Sequence, residues 1–286
     1  MDLCNMNTIR PLMERHGFRF SKALGQNFLV AGWVPQQIAA QSGAAPDCGV
    51  LEIGPGVGCL TQELAALAGK VAAVELDKRL IPVLAETVGG LENVEIVQGD
   101  AMALDLRALA AEKFAGLRPM VCANLPYNIT TPVLTALLEA GIFETVTVMI
   151  QREVARRICA PAGSPDYGAF TVFAQYYTEP KLLFDVPPGC FVPQPKVTSA
   201  VVRMDVRPAP PVEADRKLFF QVVRASFAQR RKTLVNGLSG AFGSRLTKTE
   251  IEQFVCACGF DPRVRGETLD LAGFAAVTNR LEAALG

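Results

Sequence analysis

The sequence predicts an α/β fold, in which a parallel sheet carries helices on both faces, followed by a small all-helical C-terminal domain. Short apolar runs alternate with helical patterns from residue 50 to residue 150, and such alternation is typical of parallel sheets. A stiff proline-rich stretch, 207–211, follows. Strand patterns then disappear. We therefore expect one α/β domain with an N-terminal arm over residues 1–207 and a helical domain over 208–286.

Hydrophobic periodicity places the individual elements in chain order. Helices are expected at 10–20, 34–41, 59–68, 77–87, 104–113, 131–140, 151–160 and 169–177. Strands are expected at 50–53, 71–75, 94–98, 120–123, 145–150, 182–186 and 198–206. Four further helices are expected at 217–228, 230–238, 248–257 and 270–285, the last two capped by Thr247 and Asp270.

The composition is that of a globular protein. Half of the 286 residues are hydrophobic and 20% are charged, which supplies a packed core and argues against extensive disorder. The first ten residues contain no apolar signal region, and no run is long enough to span a membrane. We therefore expect neither a secretion signal nor a transmembrane helix, and the cytoplasm is the expected compartment.

The eight cysteines do not form a metal-binding pattern. Only Cys256 and Cys258 are close in sequence, they are one residue apart, and the single histidine, His16, is distant. Zinc sites usually need two such pairs or additional histidines. We expect free thiols, mostly buried, and no metal site.

The charge is unevenly distributed although its net value is zero. Residues 49–150 carry 6 basic and 12 acidic side chains, so the rest of the chain has an excess of 6 positive charges. This pattern fits a polyanionic partner that contacts the flanking segments, and it equally fits an ordinary solvated surface.

A glycine-rich turn, Gly54-Pro55-Gly56-Val57-Gly58, follows the first predicted strand of the sheet and opens a helix. Such a turn lets the backbone approach a ligand closely. Glu75, 21 residues after Gly54, ends the next strand, where a carboxylate can accept hydrogen bonds from a ribose. Asp100 follows the third strand, and it could bind an adenine amine or simply form a turn.

The ligand of this turn has two candidates. A nicotinamide or flavin dinucleotide usually requires the spacing Gly-x-Gly-x-x-Gly. The spacing here is Gly-x-Gly-x-Gly, which favours S-adenosylmethionine.

A fourth strand end carries Asn124-Leu125-Pro126-Tyr127. Asn and Pro are common turn residues, so these four residues could form only a strand-to-helix turn. Beside the turn at Gly54, however, they could hold a planar amine. The Asn124 side-chain oxygen and the Leu125 carbonyl could accept its two N–H groups, and Tyr127 could stack on the base.

Five segments together resemble the KsgA/RsmA family of small-subunit (16S) ribosomal RNA adenine dimethyltransferases, over essentially the whole chain. They are Leu24-Gly25-Gln26-Asn27-Phe28-Leu29, Leu51-Glu52-Ile53-Gly54-Pro55-Gly56-Val57-Gly58, Asn124-Leu125-Pro126-Tyr127, Phe191-Val192-Pro193-Gln194-Pro195-Lys196-Val197-Thr198-Ser199 and Ala225-Ser226-Phe227-Ala228-Gln229-Arg230-Arg231-Lys232-Thr233-Leu234. The resemblance implies a Rossmann-like class I methyltransferase sheet. It also implies N6,N6-dimethylation of two adjacent adenosines near the 3′ end of 16S rRNA in the assembling 30S subunit.

The resemblance also implies roles for individual residues. The expected S-adenosylmethionine-binding residues are Gln26, Asn27, Leu29, Gly54, Gly56, Glu75, Asp100 and Asn124. The expected residues around the target adenine are Asn124, Leu125, Pro126, Tyr127 and Phe191. The expected RNA-binding residues are Arg152, Arg156, Arg230, Arg231, Lys232, Arg263 and Arg265, although about half of such basic residues are ordinarily solvated surface. A monomer is the expected form.

Two other functions fit parts of the sequence. An Erm-type methyltransferase of 23S rRNA shares the Asn124–Tyr127 segment, but the basic cluster 230–232 and the Gly25-Gln26-Asn27 start favour the small-subunit family. A non-catalytic ribosome-assembly factor could use the same fold, but the intact Asn124 and Tyr127 argue against it.

Overall fold

The computed structural model describes residues 1–18, 26–229 and 231–285. The chain separates into two compact units. The first contains Met1–Ala155 and Pro180–Val206, and the second contains Arg156–Glu179 and Arg207–Gly286. The division of the chain into domains at residue 207 stays a prediction. The second unit also includes residues 156–179, which hydrophobic periodicity did not distinguish from the neighbouring sequence.

Strands and helices alternate up to residue 158, and in the described part of the chain only helices follow residue 206. The strands are β1 (Phe28–Leu29), β2 (Cys48–Ile53), β3 (Lys70–Glu75), β4 (Val94–Gln98), β5 (Arg118–Asn124), β6 (Thr145–Gln151), β7 (Thr178–Val186), β8 (Phe191–Val192) and β9 (Ser199–Val206). The helices are α1 (Met6–Arg15), α2 (Trp33–Ser42), α3 (Cys59–Ala65), α4 (Ile81–Thr87), α5 (Leu106–Lys113), α6 (Thr130–Ala140), α7 (Arg152–Ile158), α8 (Ala169–Tyr177), α9 (Arg216–Phe227), α10 (Leu234–Phe242), α11 (Lys248–Ala257) and α12 (Leu271–Leu285).

The main sheet has seven strands in the order β4-β3-β2-β5-β6-β9-β7. The strands from β4 to β6 pair in parallel, as predicted, and β9 pairs antiparallel with β6. The strand β2 is flanked by β3 on one side and by β5 on the other, so the order of the sheet reverses there. The carboxyl ends of the strands on either side of such a reversal form a crevice, which is the usual ligand site of open α/β sheets.

Both faces of the central strand are covered. All six residues of β2 are buried, although successive side chains of a strand point to opposite faces of the sheet. Its residue Val50 belongs to a core cluster with Val34, Ile38 and Leu64 from the helices α2 and α3. This burial on both faces is why apolar residues, interrupted only by Glu52, occupy consecutive positions of the strand rather than every second one.

Three predicted helix starts are each displaced by four residues. The first helix begins at Met6 instead of residue 10, because the Asn5 side chain accepts a hydrogen bond from the Asn7 backbone N–H and caps it. The helix α4 begins at Ile81 instead of 77, since its first turn carries Pro82. The helix α10 begins at Leu234 instead of 230, because Thr233 accepts from the Asn236 N–H.

The helical unit has its own hydrophobic core. Fully buried residues at its centre come from four helices and include Phe219, Val222, Leu234, Leu238, Ile251, Val255, Phe274 and Leu281. The two predicted caps are present: Thr247 forms a capping box with Glu250, and the Asp270 carboxylate accepts from the Gly273 N–H at 2.8 Å. Within residues 207–229 and 231–285, no strand occurs.

None of the helices in the described ranges combines the length and the hydropathy that crossing a membrane requires.

Candidate active site

A cleft lies at the carboxyl ends of β2, β3 and β5, where the strand order reverses. It is lined by eleven of the twelve residues that sequence reasoning assigned to the donor or to the target adenine. They are Gln26, Asn27, Leu29, Gly54, Gly56, Glu75, Asn124, Leu125, Pro126, Tyr127 and Phe191. Whether these residues contact ligands stays a prediction, but the fold brings them to one cavity.

The glycine turn forms one wall of the cleft with a backbone that favours glycine. The φ angles of Gly54, Gly56 and Gly58 are +70°, +63° and +93°, which L side chains rarely adopt. A Cβ on Gly56 would lie 3.2 Å from the Phe28 ring, and one on Gly58 would lie 2.7 Å from Val88. The glycines therefore allow a tight turn packed directly under the segment Gln26–Leu29.

The Glu75 carboxylate lies at the end of β3, next to this turn. Its Oε1 accepts a hydrogen bond from the Asp77 backbone N–H at 2.8 Å, and the residue is 6% exposed. Burial raises the pKa of the Glu75 carboxyl, and the backbone N–H groups of Asp77 and Gly56 oppose the shift. Glu75 lines the cleft, and its contact with a ribose stays a prediction.

Glu52 is a second carboxyl in the cleft, and sequence reasoning did not assign it to the site. It lies on β2, is 1% exposed, and its Oε2 has no hydrogen-bond partner among the described residues. Burial raises the pKa of Glu52 to about 8, and the nearby Glu75 charge acts in the same direction. The sequence did contain a signal for this role, since Glu52 is an ionisable residue inside an otherwise apolar strand. Burying a charged group costs free energy unless it is paired or hydrogen-bonded, for example by a ligand.

The Asn124–Tyr127 segment continues from β5 into the cleft. The Leu125 backbone N–H donates to the Met149 carbonyl at 3.1 Å, which extends the pairing with β6 by one residue. The Tyr127 hydroxyl and the Ser199 hydroxyl are hydrogen-bonded at 2.6 Å. Because Ser199 is fully buried at the start of β9, it fixes the position of the Tyr127 ring at the cleft.

Phe191 is brought to the cleft by a small two-stranded sheet. The strands β1 and β8 pair antiparallel with Leu29 opposite Phe191, and the Val30 N–H donates to the Cys190 carbonyl at 2.8 Å. Phe191 is only 1% exposed and packs in the same core cluster as Leu29. The stacking of its ring on an adenine stays a prediction.

Asp100 is the predicted ligand-binding residue that does not line the cleft. It is exposed, and its carboxylate accepts a hydrogen bond from the Met102 backbone N–H at 2.9 Å, in the turn after β4. This is the plain turn that the sequence left open as an alternative. A contact with adenine remains a prediction.

The predicted RNA-binding residues that the structure describes do not line the cleft. Arg152, at the start of α7, lies 3.4 Å from the Asp185 carboxylate, and Arg156 is exposed on the same helix. In the helical unit Arg231, Lys232, Arg263 and Arg265 are all exposed. Arg230 lies outside the described residues.

The parallel sheet, the glycine turn after its central strand and the Asn-Leu-Pro-Tyr segment at the neighbouring strand end define a Rossmann-like methyltransferase. The chain belongs to the ribosomal RNA adenine dimethylase family, whose sequence profile matches residues 17–257. A curated relative, "Ribosomal RNA small subunit methyltransferase A" of Geobacillus kaustophilus, is 46% identical over 289 aligned positions, covering 100% of this chain and 99% of that protein.

Solved structures of similar fold agree with this placement. The structure of the 23S rRNA methyltransferase ErmE is 27% identical, has a TM-score of 0.69 and covers 90% of this chain and 100% of that one. A dimethyladenosine transferase from Plasmodium falciparum has a TM-score of 0.73 at 22% identity, with coverage of 90% and 98%, and shows the shared fold.

Proposed function

We propose that this chain transfers methyl groups from S-adenosylmethionine to N6 of two adjacent adenosines near the 3′ end of 16S rRNA, giving N6,N6-dimethyladenosine at both. The observation that carries the proposal is the common cleft, in which Asn124 and Tyr127 lie beside Gly54 and Glu75. The substrate would be the immature 30S subunit, and the enzyme would act as a cytoplasmic monomer. Residues 1–207 would perform the transfer, and the helical residues 208–286 would help to bind RNA.

The residues of the cleft fit S-adenosylmethionine. Glu52 presents a buried carboxyl oxygen without a partner among the described residues, which suits a cationic group of the donor. Glu75 would offer an acceptor for the ribose hydroxyls, and a side chain at Gly56 would press on the Phe28 ring, with its Cβ at 3.2 Å. When bound, S-adenosylmethionine supplies a methyl group on a positively charged sulfur.

The Asn124–Tyr127 segment would hold the target amine. The lone pair of adenine N6 is delocalised into the ring, so methylation requires groups that draw the nitrogen toward tetrahedral geometry. The Asn124 side-chain oxygen and the Leu125 carbonyl would accept the two N–H groups, while Tyr127 would stack on the extruded base. Positioning and electrostatics would supply most of the rate. As the bond from carbon to sulfur breaks and the bond to N6 forms, N6 becomes cationic and would release its proton to water, so no dedicated general base is required.

The proposal is tested by methyl transfer from labelled S-adenosylmethionine to immature 30S particles, with the modified nucleoside identified. We expect label in N6,N6-dimethyladenosine, and primer extension should stop near the 3′ end of 16S rRNA. In a parallel assay on 50S particles, a stop on 23S rRNA without a stop on 16S rRNA would support the Erm-type alternative, to which ErmE adds a structural likeness. No transfer to any ribosomal RNA would support a non-catalytic assembly factor and contradict the proposal.

The exposed pair Arg231 and Lys232 is expected to bind RNA phosphates. Changing both to glutamine should weaken binding to immature 30S particles and make the affinity less sensitive to salt. The slope of log affinity against log salt should become shallower by about one for each phosphate that the variant no longer neutralises. The measurement is the particle affinity at several salt concentrations.

Lys217→Gln with Lys248→Gln is the matched control for this double variant, since both lysines are exposed in the helical unit. It changes the net charge by the same amount and should keep the wild-type slope. An equal salt slope in the two double variants would place the RNA-binding surface elsewhere.

A further inference from the structure

We propose that Asp77 is a positioning residue of the donor site: its carboxylate fastens the cleft-lining segment that begins at Gln26 to the ribose-binding end of β3. The inference rests on the proposed function. Asp77 is not among the residues that line the cleft, so any effect on donor binding would pass through the residues that it holds.

The Asp77 carboxylate is a hub of hydrogen bonds. Its Oδ2 accepts from Gln26 Nε2 at 2.9 Å and from Arg79 Nη2 at 2.6 Å, and its Oδ1 accepts from Arg79 Nε at 2.8 Å. The side chain is 5% exposed, so these bonds form where water competes little. Gln26 and Asp77 are separated by 51 positions in the sequence, and the bond between them is therefore a tertiary one.

The same residue is joined to the predicted ribose ligand. The Asp77 backbone N–H donates to Glu75 Oε1 at 2.8 Å. One residue thus contacts two parts of the cleft wall: it bonds to Glu75 through its backbone and to Gln26 through its side chain. A change in the position of Asp77 would move both donor-binding elements together.

Arg79 also connects the Asp77 carboxylate to Phe18, in the first described range of the chain. Its guanidinium carbon lies 5.2 Å from the centroid of the Phe18 ring, within cation–π range. The Phe18 ring packs edge-on against Phe28, with 5.8 Å between the centroids, and Phe28 lies over the glycine turn at Gly56. Asp77 therefore orients Gln26 directly and Phe28 through the arginine and Phe18.

The charge needed for this role is present at all working pH values. The Arg79 side chain holds the pKa of the Asp77 carboxyl at about 2, and the bond from Gln26 adds to the effect. The hub thus stays ionised above about pH 3, and its effect on donor binding should not depend on pH near neutrality.

The test is the Asp77→Ala variant of the full chain, assayed with S-adenosylmethionine and immature 30S particles. It removes four acceptor bonds of the side chain, one of them from the Arg79 backbone N–H at 3.1 Å, and keeps the backbone bond to Glu75. We expect the KM for the donor and its dissociation constant to rise about tenfold, while kcat stays within about twofold, because the removed interaction supports donor binding equally before and during transfer. A residue that served stability alone would lower the melting temperature without this split between KM and kcat.

The Gln26→Ala variant and the double variant Asp77→Ala/Gln26→Ala test whether Asp77 affects the donor KM through Gln26. If Asp77 acts by holding Gln26, the double variant should raise the donor KM no more than the larger single effect. The control is Asp105→Ala, which removes a carboxylate bonded to the Arg107 and Ala108 N–H groups at the start of α5, away from the cleft. That variant should leave the donor KM unchanged. If Asp77→Ala does not fold, Asp77→Asn, which keeps the side-chain volume, takes its place.

The outcomes separate this inference from the proposed function. An active wild type with an unchanged donor KM in the folded Asp77 variant, or with fully additive Asp77 and Gln26 effects, would overturn the positioning role alone. A wild type that binds S-adenosylmethionine without methylating ribosomal RNA would overturn the proposed function, and the donor dissociation constant of the variants would still test the hub.

Discussion

Replacing Asn124 by alanine is expected to lower the turnover of methyl transfer at least about tenfold, a loss of roughly 1.4 kcal/mol of transition-state stabilisation. Asn124 ends β5 and lines the cleft, and its side-chain oxygen is the acceptor proposed for one N–H of the target amine. Without it, the adenine nitrogen is no longer drawn toward the geometry in which its lone pair is available. The donor should still bind, since the glycine turn, Glu52 and Glu75 are unchanged.

The measurement is single-turnover transfer to immature 30S particles, with donor affinity determined separately. Asn7→Ala, which truncates an exposed asparagine on α1, is the matched control and should be as active as the wild type. Turnover equal to that of the wild type in a folded Asn124→Ala protein would refute the assigned role. A loss confined to donor affinity would make Asn124 a donor-binding residue only.

Replacing Glu52 by glutamine is expected to stabilise the ligand-free protein increasingly as the pH rises. Burial raises the pKa of Glu52 to about 8 in the folded state, against about 4.3 for an unfolded chain. Between these values the folded protein holds a proton that the unfolded chain has released, so the free energy of unfolding falls as the pH rises. The wild type should therefore lose roughly 1.4 kcal/mol per pH unit relative to the variant over this range.

Urea unfolding of both proteins at several pH values from about 5 to 8 measures this difference. Glu92→Gln, at an exposed position, is the control and should show no comparable trend relative to the wild type. A constant difference between the wild type and Glu52→Gln over this pH range would show that the carboxyl is not held protonated. The same variant should bind S-adenosylmethionine more weakly, because the Glu52 carboxyl can lose its proton when a cationic group binds beside it, whereas the glutamine amide cannot become charged.

Most of the candidate site was accessible from sequence because it lies at strand ends. In a parallel sheet, the carboxyl ends of the strands share one edge, so Gly54, Glu75 and Asn124 had to approach each other once the strands were identified. Phe191 and Gln26 came only through the family resemblance. Nothing in their local pattern indicates that β1 and β8 pair, since that pairing joins segments more than 160 positions apart.

Two of the helix starts that were predicted wrongly depend on a single capping side chain. Asn5 and Thr233 cap α1 and α10 by hydrogen bonds to backbone N–H groups two or three residues ahead. Polar residues of these types occur throughout the chain, and periodicity does not tell which of them caps a helix. Asp100 shows the converse: the sequence allowed either a ligand contact or a turn, and the structure shows its carboxylate bonded within the turn.

Local patterns in the chain were sufficient to predict the fold class, the succession of strands and helices from α2 to β6, the glycine turn and the Asn-Leu-Pro-Tyr segment, because these depend on periodicity and on residues that are neighbours in sequence. Three features came only from the folded arrangement: the burial of Glu52, the bond between Tyr127 and Ser199 and the hub at Asp77. Each of them depends on the distance between residues far apart in sequence. The burial of a side chain and its hydrogen-bond partners are decided by which distant segments the fold brings together, and the local sequence pattern does not contain that information.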